Sequence, residues 1–164
     1  MKCYSSAVRV AFIVLTLSAF ARPVAAGEQV PFGGRLEGDV TVTPITPPLI
    51  VAVAITGEGN ANHLGKFTVS IPHVVNRGTR TAVGSYVFTA ANGDTLIADF
   101  TGQSSPTDTP GVLYIEETAT ITGGTGRFAG ATGSFTVERL YDTVAGTTIG
   151  SFEGNISSTG AGKH

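Results

Sequence analysis

Apolar residues recur at every second position through most of the chain after residue 27, and this period of two restricts the fold more than any other feature. On residues 113–121, for example, one face carries Leu113, Ile115, Ala119 and Ile121, and the other face is mainly polar. Side chains alternate between the two faces of a β-strand, whereas an amphipathic helix repeats every three or four residues. The sequence therefore predicts an all-β protein.

Eight alternating segments are separated by residues typical of turns. The predicted strands cover residues 35–43, 49–57, 63–75, 80–90, 94–102, 111–122, 132–142 and 147–157. Asn92 and Gly93 form the strongest hairpin signal, because both residues accept the positive φ of a type I′ turn. Residues 102–111 contain two prolines and predict a longer surface loop. A polar tail is expected from Ser157 onward.

Eight antiparallel strands in a chain of this length are compatible with a barrel or a sandwich. Closure into a barrel removes unpaired strand edges, and eight strands leave an interior just wide enough for side chains or one small ligand. We therefore predict an eight-stranded antiparallel barrel, with a β-sandwich as the alternative. No shift in composition marks a second domain within residues 27–164, so they are expected to form a single barrel domain.

The first 26 residues have the pattern of a signal peptide. Lys2 and Arg9 precede an eleven-residue apolar run at residues 10–20, and the small residues Val-Ala-Ala end at Ala26, just before Gly27. The apolar run is shorter than the ~20 residues that a membrane-spanning helix requires. We therefore expect cleavage near Ala26/Gly27, a secreted or periplasmic protein, and no stable membrane association.

Removal of the leader would leave an acidic chain without cysteine. The mature protein would contain seven Lys and Arg against twelve Asp and Glu, a net charge of −5. The basic residues are dispersed, so they do not form the basic stripe that nucleic acid requires, and no nucleic-acid partner is expected. The only cysteine, Cys3, would leave with the leader, so the domain would be stabilised by its core without a disulfide.

A glycine-rich segment, GGTGRFAGATG on residues 123–133, separates the sixth and seventh predicted strands. A strand follows it rather than a helix, which argues against a phosphate-binding loop and favours tight bends at a barrel corner. Together with NGDTL on residues 92–96 and GSFEG on residues 150–154, it resembles exported bacterial proteins of unknown activity. It resembles more faintly the dirigent and allene oxide cyclase-like barrels. The resemblance implies an eight-stranded barrel, often trimeric in the plant members, whose lumen takes a small apolar molecule.

Two charged residues share the apolar face of their strands, which in a barrel is the lumenal face. Glu117 has the parity of the apolar residues of the sixth strand, and Arg139 has that of the seventh. These strands follow each other in sequence, so they are expected to pair antiparallel. An isolated buried charge is costly and pairing is the usual remedy, so we predict an ion pair between Glu117 and Arg139 inside the barrel. Tyr141 and Tyr86 are expected nearby as hydroxyl donors.

Three functions are compatible with this polar group in a barrel. The first is binding of a small apolar ligand in the lumen, with Glu117, Arg139, Tyr141 and Tyr86 as the candidate binding residues. The second is a structural or interaction protein whose barrel is filled. The third is an isomerase or cyclase of the allene oxide cyclase or dirigent type, in which Glu117 transfers a proton. No catalytic residue and no cofactor is assigned, and a homo-oligomer, a trimer by resemblance, is expected.

Metal and nucleophile chemistry receive little support from the sequence. His63 and His73 lie about 33 Å apart on one predicted strand, too far to share an ion, and are expected to be independent residues near strand ends. No metal site is therefore predicted. The sequence has no Gly-x-Ser-x-Gly elbow, and the adjacent Glu116 and Glu117 point to opposite faces, which does not fit a glycosidase.

Overall fold

Eight strands follow one another along the chain, and each is hydrogen-bonded to the next in an antiparallel ladder. The computed structural model describes residues 28–157. The strands are β1 (Val30–Thr46), β2 (Ile50–Ala61), β3 (Gly65–Asn76), β4 (Thr81–Ala90), β5 (Thr95–Pro106), β6 (Val112–Gly124), β7 (Thr132–Asp142) and β8 (Thr147–Ser157). Because β1 also pairs with β8, the sheet closes on itself. The predicted eight-stranded antiparallel barrel is confirmed, and the sandwich alternative is wrong.

Two of the predictions concern the ends of the chain, which lie wholly or mostly outside the described residues. The predicted leader and its cleavage site occupy residues 1–27, and most of the predicted polar tail occupies residues 158–164; both lie outside the described residues. Ser157 itself is the last residue of β8 and is buried, so the tail does not begin there. None of the helices within residues 28–157 is long and apolar enough to span a membrane.

The period of two in the sequence corresponds to the inner and outer faces of the barrel. On β3, Phe67, Val69, Ile71 and His73 are buried, and each residue between them is exposed. The same alternation runs along β6 and β7. Inward positions therefore form the core, and a shift of one residue in any strand would exchange the two faces.

Aromatic side chains fill one half of the lumen. The cluster consists of Phe32, Phe67, Tyr86, Phe88, Phe135 and Phe152, with ring centroids 5.1 to 6.2 Å apart in the contacting pairs. A short 3-10 helix in the glycine-rich segment, Gly126–Phe128, places the fully buried Phe128 at this end. Arg127 holds this helix against the turn between β2 and β3, because its Nη2 donates to the Leu64 carbonyl oxygen at 3.0 Å. This end of the barrel is closed.

Several predicted strand boundaries differ from the structure, and in two of them pairing between strands overrides local turn signals. The first strand begins at Val30 rather than at residue 35, since Val30 pairs with Ile156 where the barrel closes. The fifth strand continues to Pro106, which pairs with Leu113. The predicted long loop on residues 102–111 therefore shortens to residues 107–111.

The hairpin between β4 and β5 forms where Asn92 and Gly93 predict it, but the turn is not type I′. Gly93 has a φ of 87°, whereas Asn92 does not have a positive φ. Asn92 acts through its side chain, since its Oδ1 accepts the N–H of Asp94 at 3.2 Å. Such a side-chain turn is a known alternative use of asparagine.

Candidate functional site

The half of the lumen opposite the aromatic cluster contains an open cavity of about 530 Å³. Its mouth is surrounded by the turns that join β1 to β2, β3 to β4, β5 to β6 and β7 to β8. Its walls are mostly aliphatic and include Val40, Val42, Val51, Val53, Ile55 and Val75. The barrel is thus packed with aromatic rings at one end and lined by shorter branched side chains at the other.

Glu117 and Arg139 line this cavity and form the predicted ion pair. Arg139 Nη2 donates to Glu117 Oε1 at 2.7 Å, and Arg139 Nε donates to Glu117 Oε2 at 3.1 Å. The pair is bidentate, which is the strongest geometry for a guanidinium and a carboxylate. Both residues are buried, with 1% of Glu117 and 4% of Arg139 exposed. They belong to adjacent strands in diagonal register, because Glu117 lies opposite Val137 and Arg139 lies opposite Ile115.

Two hydroxyl groups also form hydrogen bonds with the pair. Tyr86 donates its hydroxyl to Glu117 Oε2 from the side of the aromatic cluster. Arg139 Nη1 donates to Thr148 Oγ1 at 3.3 Å, and that hydroxyl donates in turn to the Leu140 carbonyl oxygen at 2.8 Å. Burial lowers the pKa of Arg139, but its hydrogen bonds to Glu117 and the charge of Glu117 outweigh burial and raise it overall. The guanidinium is therefore always charged.

The two predicted tyrosines occupy different places relative to the cavity. Tyr86 is fully buried beneath the ion pair, and burial, followed by the charge of Glu117, raises its pKa well above the usual value. Tyr86 therefore remains a hydrogen-bond donor. Tyr141 lines the cavity two residues from Arg139, but among residues 28–157 no hydrogen bond links its hydroxyl to Glu117 or Arg139. The structure brings three of the four predicted residues into one network and leaves Tyr141 on the wall.

Glycines opposite the charged side chains make room for the pair. Gly102 lies opposite Glu117 across the β5–β6 ladder, and an added Cβ there would be 2.5 Å from Glu117 Cγ. Gly150 lies opposite Arg139, and its added Cβ would overlap the Arg139 Cβ. Gly102 was expected at the junction of the fifth strand and the following loop, but it lies within β5. The position suits glycine because the Glu117 side chain occupies the space that a larger residue would fill.

His73 is a cavity residue that the sequence interpretation missed. It was expected near a strand end and independent of any site, but it is buried and lines the cavity. Its ring packs edge-on against that of Phe100, with the two ring centroids 5.7 Å apart. Its Nδ1 lies 3.0 Å from the Ile71 carbonyl oxygen. A carbonyl oxygen can only accept a hydrogen bond, so Nδ1 is the donor and carries the proton. Burial lowers the pKa of His73, partly offset by this hydrogen bond. The alternation along β3 was the available signal, since it already placed His73 inward.

Protonation of His73 should make the stability of the fold depend on pH. Its pKa is lower in the folded than in the unfolded chain, where it is about 6.5, so the unfolded state binds more protons between the two values. The free energy of unfolding should be unaffected by His73 above about pH 6.5 and should decrease as the pH falls toward the folded pKa. His73→Phe should remove this contribution, which has a slope of at most about 1.4 kcal/mol per pH unit.

Urea unfolding of both proteins from pH 7 to pH 5 measures the His73 contribution. The carboxylates titrate in both, so the difference between the two curves isolates the histidine. Parallel curves would show that His73 is as easily protonated in the folded as in the unfolded protein.

Two arginines at the mouth were also missed. Arg77 and Arg80 occupy the turn between β3 and β4, and both line the cavity while remaining exposed. Arg77 lies between the third and fourth predicted strands, so it has no strand parity. Arg80 begins the fourth predicted strand with the same parity as Tyr86, so a signal was available for it. Among residues 28–157, no group of three or more His, Cys, Asp or Glu side chains is placed to hold a metal ion.

Comparison with solved structures identifies the architecture. The barrel superposes on the pterocarpan synthase dirigent protein GePTS1 with a TM-score of 0.56 and 14% sequence identity, covering 90% of this chain and 99% of that one. The chain has a dirigent-like fold. No family profile matches its sequence, and no curated protein matches it either.

The dirigent-like barrel confirms part of the resemblance found in the sequence. The eight-stranded architecture implied by the glycine-rich segment is correct. At 14% identity the likeness establishes the fold alone, so it assigns neither activity nor ligand. The expected export, bacterial source and trimer stay predictions.

Proposed function

We propose that this protein binds a small, largely apolar molecule in the open half of its barrel, with the Glu117–Arg139 pair as a polar floor. The observation that carries the proposal is the cavity of about 530 Å³. This volume lies within the range of about 300 to 1,000 Å³ typical of ligand sites, which combine apolar walls with a few placed polar groups.

The distribution of large side chains supports binding over a purely structural barrel. Aromatic rings fill the closed half, whereas the inward positions of the open half carry mainly valine, isoleucine and alanine. A barrel needed only as a scaffold would gain stability by filling this space, because burial of apolar area is the main favourable term in folding. An open apolar cavity is better suited to holding an apolar ligand.

The hydrogen bonds of Glu117 support binding over proton transfer. Oε1 accepts from Arg139, and Oε2 accepts from both Arg139 and Tyr86. Both carboxylate oxygens are thus already engaged by donors of the protein, which leaves the carboxylate less available to a ligand. Arg139 uses three of its five N–H groups in hydrogen bonds to Glu117 and Thr148, so the others can donate to a polar group of the ligand. The pair therefore suits a role in orienting the ligand, and the isomerase or cyclase alternative is less favoured.

A cavity-filling substitution tests the proposal. Ala82 is half-buried on β4 and lines the cavity, so Ala82→Phe should occupy the space that a ligand needs. The matched control is Val83→Phe, because Val83 is the next residue and is 57% exposed on the outer surface. The probes are 2-naphthoate and its neutral amide, 2-naphthamide, added separately and followed by NMR chemical-shift changes.

The wild-type protein and Val83→Phe should bind at least one probe, with shifts concentrated at cavity residues such as Val53 and Ile115. Ala82→Phe should weaken that binding by about tenfold or more, since overpacking excludes the ligand. The proposal fails if neither probe binds the wild-type protein or if Ala82→Phe binds as well as Val83→Phe. Native mass spectrometry of the purified protein gives an independent test through a retained ligand.

A further inference from the structure

Charge is distributed unevenly between the cavity and the rest of the protein. Residues 28–157 contain six Lys and Arg and twelve Asp and Glu. Three of the six basic residues line the cavity, namely Arg77, Arg80 and Arg139, but only one of the twelve acidic residues, Glu117, does so. Because Glu117 and Arg139 neutralise each other, the cavity carries two net positive charges within a chain that is otherwise acidic.

The two uncompensated charges belong to a firmly held turn. The N–H of Arg77 donates to the Leu49 carbonyl oxygen at 2.8 Å, and the Arg80 carbonyl oxygen accepts the N–H of Ser104 at 2.9 Å. Within the turn, Asn76 Oδ1 accepts two further backbone N–H groups at 2.9 and 3.2 Å. The turn is thus joined to the turn between β1 and β2 and to strand β5, which keeps the two arginines at the mouth.

Neither mouth arginine is neutralised by a neighbouring carboxylate in the described part of the chain. The ion pairs found there join Arg139 to Glu117 and Arg127 to Asp94. Asp108 lies in the turn between β5 and β6, and Asp142 is the last residue of β7, but neither lines the cavity. The Asp142 carboxylate already accepts the backbone N–H groups of residues 144 and 145. The mouth therefore attracts anions.

We propose that the natural ligand is an amphipathic organic anion, with its apolar body against the aliphatic walls and its acidic group at the mouth between Arg77 and Arg80. This inference rests on the proposed function. The walls offer little hydrogen bonding to a charged group, and the ion pair at the floor has no net charge with which to balance an anion. Guanidinium groups match a carboxylate or a sulfonate in geometry and charge, so the acidic end is held at the mouth.

The test compares 2-naphthoate with 2-naphthamide, which has the same shape without the charge. At pH 7 and low salt, the wild-type protein should bind the carboxylate about tenfold more tightly than the amide, and added salt should reduce the preference. The double variant Arg77→Gln/Arg80→Gln should lose the preference but keep its affinity for the amide. The matched control Arg35→Gln/Lys66→Gln removes two exposed charges that do not line the cavity and should keep the preference.

Two results would overturn the inference. One is equal affinity of the wild-type protein for both probes, and the other is a carboxylate preference that survives Arg77→Gln/Arg80→Gln. In either case, the proposed function still holds if a probe binds the wild-type protein and Ala82→Phe blocks that binding. Absence of binding by both probes removes the proposed function and the inference together.

Discussion

Glu117→Leu is expected to lower the free energy of unfolding by about 3–5 kcal/mol, because it leaves the buried guanidinium of Arg139 without its counter-charge. It also leaves the buried hydroxyl of Tyr86 without its acceptor. Arg139→Met should be similarly costly, since it isolates the carboxylate. The double variant Glu117→Leu/Arg139→Met should cost much less than the sum of the two, because no buried charge remains. Urea unfolding of all four proteins at pH 7 gives the coupling free energy.

The control for this cycle is Glu116→Leu. Glu116 is the preceding residue of β6 and is exposed on the outer surface, so its substitution should change the free energy of unfolding by no more than about 0.5 kcal/mol. An effect of Glu117→Leu no larger than that of Glu116→Leu would contradict the buried ion pair. Strict additivity of the two single substitutions would show that the residues do not act together.

Phe135→Ala is expected to lower the free energy of unfolding by a similar amount, about 3–5 kcal/mol. Phe135 is 2% exposed and contacts four rings, those of Phe32, Tyr86, Phe88 and Phe152, at centroid distances of 5.5 to 6.0 Å. Its removal deletes buried apolar area and leaves a space that the surrounding strands cannot close. The measurement is again urea unfolding at pH 7.

Thr136→Ala supplies the comparison for the aromatic cluster. Thr136 is the next residue on β7 and is exposed, so the change should be small. If Phe135→Ala were tolerated as well as Thr136→Ala, the closed half of the barrel would not be the packed core described above.

Local pattern was sufficient for the strands and the ion pair. Alternation alone assigned Glu117 and Arg139 to the inner face, and the cost of an isolated charge then required that they meet. The same reasoning placed His73 inward but did not connect it to the pair, because β3 and β7 are distant in sequence. Their meeting in one lumen depends on closure of the whole barrel.

Turn-forming residues were the main source of error. Gly102 favours a loop by its own preference, but it lies within β5 because it pairs with β6, and it is glycine there because Glu117 fills the space opposite it. Arg77 appears in the sequence as an ordinary exposed residue of a turn, and Arg80 as the first residue of the fourth predicted strand. Only the arrangement of the turns around the open end makes them part of the cavity.

The sequence by itself determined the strand period, the number of strands and which charges face inward, because these depend on alternation and burial within single segments. The tertiary structure decided that the sheet closes through β1 and β8, that one half of the lumen is filled and that the other remains open. Those outcomes depend on which side chains meet across the cylinder. Such contacts are set by the register of the strand ladders and by closure of the barrel, and neither can be read from the pattern of a single segment.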